Sequence, residues 1–363
     1  MKKKNKFLSL LLYLFKFKGS ENSFRNFYLT AFSGLILIVF FSLTPKLSLL
    51  KESYLLNFKE VKNESKNILE DVLSGKEIEL EQVDDFDNVE VFEDIFQYED
   101  IPVSSVRLSA ATIKQLFKDT NYNLKNVRKN KIVKPVNLEL LPNEMKMIES
   151  TKERKNLFIQ IVLPLILEEN NQIKLDRKKL FLILNRSNNS KLEKKWLNLK
   201  FKQYGVKNQD IFTLKIRMDE IPVSLAIAQA AKETGWGTSR FALEGNALYG
   251  QWTFTGKGLK PLNADSTESH KVMKFQVLQA SVRAYFRNLN THSSYRKFRK
   301  HRADARDNNE KLDSMVLSDY LDEYAATGIE YTKILKKIIK QNSLKDFDDA
   351  ELLPNSKLLK KMI

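Results

Sequence analysis

An uncharged run of twenty residues, 26–45, restricts the arrangement of the whole chain. It reads Asn-Phe-Tyr-Leu-Thr-Ala-Phe-Ser-Gly-Leu-Ile-Leu-Ile-Val-Phe-Phe-Ser-Leu-Thr-Pro, which is long enough to cross a hydrocarbon core of about 30 Å as a helix. Lysines are concentrated in residues 1–25, and positive charge on one flank of a span marks the cytoplasmic side. We therefore predict a cytoplasmic basic segment at 1–25, a transmembrane helix at 26–45 and a body on the far side of the membrane.

A cleaved signal peptide is the alternative interpretation of the same run. The basic region before the run is long and no small-x-small cleavage site follows it, so a retained anchor is favoured. Residues 7–17 are also apolar, but eleven residues are too few to span a bilayer and indicate an interfacial helix.

The formal charge of +16 is unevenly distributed along the chain. Residues 1–27 carry a net +6 and residues 64–100 a net −12, so the rest of the chain is strongly basic. We interpret 46–100 as an acidic spacer. A basic body outside the cytoplasm is not expected to meet nucleic acid, and anionic envelope polymers or lipid head groups suit its charge better. A solvated basic face without a partner is left open.

The residue types that the chain lacks exclude several kinds of chemistry. There is no cysteine, which excludes disulfides, thiolate metal sites and cysteine nucleophiles. Only three histidines are present, so we predict neither a metal centre nor a cofactor. Glycine and proline are few for this length, which favours a mainly helical protein.

Residues 101–200 are predicted to form a helical accessory region. Apolar residues recur at helical spacing from Ser109, through 144–168 and 175–184, and again in 191–204. The apolar run inside 144–168 is too short to be a second span, so we predict a buried core helix there.

A helix with a glutamate at its end follows the accessory region. Residues 219–222, Asp-Glu-Ile-Pro, have the acids and the proline that are typical of a helix start. Glu233 shares a face with Ala226, Gln229 and Ala230, and Trp236 comes just after it. An indole beside a carboxyl excludes water and raises the carboxyl pKa, so Glu233 is a candidate proton donor; a solvated glutamate is the alternative.

Four motifs in order give these residues a family context. Residues 228–242 read Ala-Gln-Ala-Ala-Lys-Glu-Thr-Gly-Trp-Gly-Thr-Ser-Arg-Phe-Ala, and 244–252 read Glu-Gly-Asn-Ala-Leu-Tyr-Gly-Gln-Trp. Residues 281–292 and 324–331 supply the other two. Together they resemble the bacterial peptidoglycan N-acetylglucosaminidases of glycoside hydrolase family 73, and most of all their Bax-like subgroup. The resemblance is clear over about 200–345.

The resemblance implies a lysozyme-like, mainly helical catalytic domain at 201–345 with a small β-hairpin lobe, followed by a C-terminal tail at 346–363. It implies cleavage of the β-1,4 bond after N-acetylglucosamine, with Glu233 as general acid and Tyr324 reaching the cleft. Asn246 and Tyr249 match the loop that shapes the sugar site. Trp236 and Trp252 are further candidates for contact with sugar, the alternative for Trp252 being a place in the hairpin core.

The second catalytic group is not settled by the motifs. Lys271 stands where related hairpins often carry a glutamate, and Glu268 or Asp265 lies close enough in sequence to replace it. Glycosidase carboxyls are about 5 Å apart in retaining enzymes and about 6.5–9.5 Å apart in inverting ones. We take Glu268 as the candidate; attack by the acetamido group of the substrate is the alternative.

The sequence thus predicts a peptidoglycan hydrolase held in the inner membrane by one span, with its catalytic domain in the periplasm. Glycan strands and the membrane are its predicted partners, and no protein partner is indicated. A lysozyme or lytic transglycosylase and a non-catalytic glycan-binding envelope protein are the alternatives.

Overall fold

The computed structural model describes residues 106–253, 258–260 and 271–354, and the predicted mainly helical character is confirmed over them. The α-helices are α1 (Ala110–Asp119), α2 (Leu124–Asn130), α3 (Thr151–Leu184), α4 (Lys191–Gln203), α5 (Ile211–Arg217), α6 (Val223–Thr234), α7 (Arg240–Gly245), α8 (Leu278–Thr291), α9 (Arg296–Asp307), α10 (Ser314–Leu317) and α11 (Ile329–Gln341). Short 3₁₀ turns include Ser293–Tyr295, Asp322–Tyr324 and Leu344–Phe347. The strands are β1 (Ile132–Val133), β2 (Trp252–Thr253), β3 (Gly258–Leu259), β4 (Lys271–Met273) and β5 (Glu351–Leu352).

The predicted cytoplasmic segment, transmembrane helix and acidic spacer lie outside the described residues. Among the helices that are described, none has both the length and the apolar composition that a bilayer crossing requires. The apolar run 157–167 is instead buried in the core, as predicted.

The accessory region differs from its prediction in one respect. Ser109 caps α1 and Ser190 caps α4, close to the predicted starts. The separate helices expected at 144–168 and 175–184 form the single helix α3, which runs through Pro164. A proline in a helix interior costs about 3 kcal/mol, and the burial of Leu163 and Leu165 beside it offsets that cost.

One hydrophobic core extends from Ala110 to Leu352, on both sides of the predicted boundary at 200. The described residues all belong to one compact unit. The helix α6 lies at its centre and packs against α3, α11 and the turn Leu344–Phe347. Strands β1 and β5 pair in parallel, so two segments that are far apart in sequence are joined. The predicted domain boundaries themselves stay predictions.

The start of α6 is not built as the sequence suggested. The helix begins at Val223 with no acid in its first turn. Asp219 instead forms ion pairs with Arg302 and Arg306, which hold the pKa of its buried carboxyl below the usual value despite desolvation. At the N-terminus of α6, the backbone N–H of Ser224 instead donates a hydrogen bond to Asp348, which lies far along the chain. The local sequence could not reveal that Asp348 replaces Asp219 at the start of α6, because Asp348 and the arginines that bind Asp219 are all distant in sequence.

The predicted hairpin lobe is a small antiparallel sheet with strand order β2-β4-β3. Trp252 lies opposite Val272, and Leu259 lies opposite the same residue on the other side. Asn246, at the end of α7, donates its side-chain amide to the carbonyls of Phe275 and Gln276 (2.9 and 3.0 Å), which ties the lobe to the helical body.

Candidate active site

Glu233 is half-buried in the last turn of the central helix α6. The face that it shares with Ala226, Gln229 and Ala230 is buried, as the helical spacing predicted. The adjacent Lys232 points to solvent. The carboxyl is therefore held at the border between the core and the surface.

The helix ends abruptly after Glu233. Gly235 adopts the left-handed region (φ 57°) and closes the helix with a hydrogen bond to Ala231. Trp236 also has a positive φ of 62°, which is unusual for a residue with a bulky side chain. Its half-buried ring packs edge-on against Phe158, with Lys155 4.9 Å above the ring centre. The turn places an aromatic ring three residues beyond the carboxyl.

The loop 246–250 passes directly over the carboxyl. Gly250 has φ 62°, and a Cβ at this position would lie 3.1 Å from Oε2 of Glu233. Glycine is thus required here both by the backbone conformation and by the space that remains.

Burial raises the pKa of Glu233 above its usual value, in the direction that the sequence predicted. A hydrogen bond from Tyr331 and the charge of Lys232 lower the pKa, but burial dominates. A carboxyl that keeps its proton near neutral pH can act as a general acid.

Tyr324 lies in a group of tyrosines beside Glu233. Its ring stacks on Tyr331 (5.5 Å between centroids) and lies 5.9 Å from Tyr295. Its hydroxyl donates to the backbone carbonyl of Tyr249 at 2.8 Å, next to Gly250. Burial raises the pKa of Tyr324, and the neighbouring Tyr331 and Glu233 raise it further, so Tyr324 and Glu233 are electrostatically linked.

The other predicted substrate-binding residues lie in the loop 246–250 and in β2. Asn246 and Tyr249 are buried, and Tyr249 stacks on Tyr285 with 3.8 Å between centroids. Their side chains hold the shape of the loop 246–250, and contact of that loop with glycan stays a prediction. The backbone of Trp252 lies in β2. Glu268 lies outside the described residues, as does Asp265.

The structure brings three further residues to the site that sequence reasoning did not assign a role. Tyr331 interacts with Glu233 and lowers its pKa, Gln229 donates a hydrogen bond to Tyr331, and Tyr285 donates one to Gln229. The one available signal was Gln229, a single amide in a helix face that is otherwise small and apolar. Within the described part of the chain, no group of three acidic or histidine side chains could hold a metal ion.

Two comparisons with known proteins bear on this site. The sequence model of the glucosaminidase family, described as mannosyl-glycoprotein endo-beta-N-acetylglucosaminidase, matches residues 210–344. Protein bax of Escherichia coli (strain K12) is 30% identical over 205 residues, which cover 55% of this chain and 73% of that protein. No solved structure matches the chain significantly. The family match includes Glu233, Tyr324 and Tyr331.

Proposed function

The chain belongs to the glucosaminidase family of glycoside hydrolases, and on this premise we propose that it cleaves the β-1,4 bond after N-acetylglucosamine in peptidoglycan strands. The observation that carries the proposal is the half-buried carboxyl of Glu233, whose pKa is raised by burial inside the matched segment. The helical body with a small sheet beside this carboxyl fits the lysozyme-like arrangement that we propose for the catalytic domain.

In the proposed reaction, Glu233 gives its proton to the glycosidic oxygen while the bond from that oxygen to the anomeric carbon breaks. A water molecule then adds to the anomeric carbon. Glu268 is the proposed base for that water, and attack by the acetamido oxygen of the substrate is the alternative. Tyr324 is proposed to border the same sugar.

Digestion of purified sacculi tests the bond that is cut. We expect the protein to release fragments with reducing N-acetylglucosamine ends, identified by mass spectrometry after borohydride reduction. Reducing muramic acid ends would identify a lysozyme instead, and anhydro-muramic acid ends a lytic transglycosylase. Either product would contradict the proposal.

Replacement of the acid tests the mechanism. Glu233→Gln preserves the shape of the side chain but removes the proton, so turnover should fall by about two orders of magnitude or more while glycan binding survives. Glu268→Gln should cost a similar factor if it activates water, and Asp265→Asn should then have little effect. If the acetamido group attacks, neither hairpin change should matter. Full activity of Glu233→Gln would rule out the assignment.

A non-catalytic glycan-binding role is the second candidate, and Lys271 favours it. This residue begins β4 at the place where relatives are expected to carry a glutamate. Protein that binds sacculi but releases no fragment at any pH between about 4 and 8 would support this role.

We also propose that the body is held at the periplasmic face of the inner membrane by residues 26–45. The uncharged run and the lysines before it support this topology. A phosphatase reporter fused after residue 60 should be active, and membranes should contain a chain that still begins at Met1. A soluble form that begins near Leu47 would contradict the anchor.

A further inference from the structure

A continuous line of buried polar side chains leads from the core to Glu233. The hydroxyl of Tyr285 lies 2.6 Å from Oε1 of Gln229, and Nε2 of Gln229 lies 3.1 Å from the hydroxyl of Tyr331. Tyr331 in turn interacts with the carboxyl of Glu233 and lowers the pKa of that carboxyl. Tyr285, Gln229 and Tyr331 are at most 1% exposed, so water does not compete for these bonds. We call these three residues the polar chain.

The direction of every hydrogen bond in the polar chain follows from its first member. An amide oxygen can only accept, so the proton of Tyr285 points to Oε1 of Gln229. The amide nitrogen of Gln229 then donates to the oxygen of Tyr331. Because Tyr331 has a single proton, that proton is left to point at Glu233.

Stacked rings hold the two tyrosines in place. Tyr285 stacks on Tyr249 with ring planes 5° apart, and Tyr331 stacks on Tyr324 with planes 8° apart. Three buried polar groups are costly unless each is paired, and apolar residues of similar volume would fill the core without this requirement. The arrangement therefore has a use other than packing.

We propose that Tyr331, Gln229 and Tyr285 are positioning residues that direct one hydroxyl proton onto a fixed oxygen of Glu233, leaving the other oxygen to carry the proton used in catalysis. The inference rests on the proposed function for its catalytic meaning. The polar chain also moderates the acid: burial favours the neutral carboxyl, and the donated hydrogen bond favours the carboxylate. Among the described residues, the other titratable groups that interact with Glu233 are Lys232, Tyr324 and Tyr295.

The pH dependence of kcat/KM of the full chain tests the proposal. A general acid loses activity as the pH rises through its pKa, so this pKa sets the basic limb of the profile. Tyr331→Phe should move the basic limb up by about one pH unit, because the carboxylate loses a charge-assisted hydrogen bond. Tyr285→Phe should move it in the same direction, although Tyr285 is bonded to Gln229 and not to Glu233. The amide of Gln229 would then be free to turn, and its oxygen would take the proton of Tyr331.

A double variant separates this effect from simple damage to the core. Adding Gln229→Met to Tyr285→Phe removes the competing amide oxygen, so Tyr331 donates to Glu233 again and the limb should return toward the wild-type pH. A purely structural role predicts that the second change adds to the first. Tyr122→Phe is the matched control, since it also deletes a buried hydroxyl, bonded to the carbonyl of Gln160 at 3.1 Å outside the site. Its profile should equal that of the wild type.

A titration that does not need turnover keeps this proposal distinct from the proposed function. The ¹³C signal of the Glu233 carboxyl, assigned by its loss in Glu233→Gln, should report the same shifts in the full chain. If the wild type has no glycosidase activity but the shifts and their reversal occur, the proposed function is wrong and the polar chain stands. If Tyr285→Phe moves neither the limb nor the signal, or if the double variant only adds damage, the polar chain is overturned.

Discussion

The carboxyl of Glu233 is partly withdrawn from water because three separate segments of the chain meet at it. The helix α6 carries the carboxyl, Gly250 covers one of its oxygens, and the nearby Tyr331 lowers its pKa. Sequence reasoning identified Glu233 and the direction of its pKa shift. It could not identify Tyr331, because a tyrosine about a hundred residues away has no signature until the fold places it.

Gly250 provides a test of how tightly the carboxyl is held. Gly250→Ala adds a Cβ about 3.1 Å from Oε2 of Glu233 and forces alanine to a positive φ. The added atom must displace the carboxyl by a few tenths of an ångström, and a misplacement of about 1 Å can cost about 100-fold in rate, so we expect kcat to fall by about 10-fold if Glu233 is the acid. The backbone strain should also lower the free energy of unfolding by about 1–2 kcal/mol.

Gly205→Ala is the matched control for the strain alone. Gly205 has a similar φ of 57° and follows the end of α4, outside the site. It should lose stability by a similar amount and keep its kcat. Equal kcat values for the two variants would mean that Gly250 does not restrict Glu233.

The helix α6 depends on partners that its own sequence does not contain. Its predicted local acid, Asp219, is engaged by arginines, and Asp348 accepts hydrogen bonds from the backbone N–H and the hydroxyl of Ser224, each at 2.8 Å. The helical period and the glutamate at the end of α6 were readable from sequence because they are local patterns. The cap was not readable, because it is formed by tertiary contact.

The cap makes the stability of the protein depend on pH. Burial raises the pKa of Asp348 to about 6, above its usual value of 3.8, although its bonds to Ser224 lower it. The folded state therefore binds the proton more tightly than the unfolded state. This contribution to stability is complete below pH of about 4 and is lost as the pH rises through about 6, and the change amounts to about 3 kcal/mol.

Asp348→Asn imitates the protonated acid and should remove this part of the pH dependence. Urea unfolding should give nearly equal stability for wild type and variant near pH 4 and a more stable variant near pH 7. The difference in the free energy of unfolding between wild type and variant is compared across pH. The titration of Glu233 is common to both proteins and cancels in this difference. A difference that is constant with pH would contradict the assignment.

At the scale of the whole molecule, the segment that matches the family is completed by residues outside the match. Phe347, Ala350 and Leu352 are buried in the core, although the sequence placed them in a C-terminal tail. Arg128 of α2 lies over the ring of Phe347, 4.4 Å from its centre. The sequence indicated the helical class and the order of helices, but short apolar stretches such as 350–353 carry no periodic signal that distinguishes a core strand from a tail.

Shortening the chain tests this integration. A protein that ends after Lys345 loses Phe347, Asp348 and Leu352, and the lost apolar burial and cap should lower the free energy of unfolding by about 5 kcal/mol. This is comparable with the whole stability of many domains, so we expect unfolding or a large fall in Tm. A protein that ends after Pro354 keeps these residues and is the control. Melting of the two shortened proteins within a few degrees of each other would contradict the prediction.

The parallel pair of β1 and β5 also determines when the core can be completed during synthesis of the chain. Val133 leaves the ribosome long before its partner Leu352 has been synthesised, and so does the helix α6 before Asp348. Contacts between segments that are far apart in sequence form late, because the intervening loop must first be closed. The nascent chain therefore cannot complete its core before residues 351–352 have been synthesised.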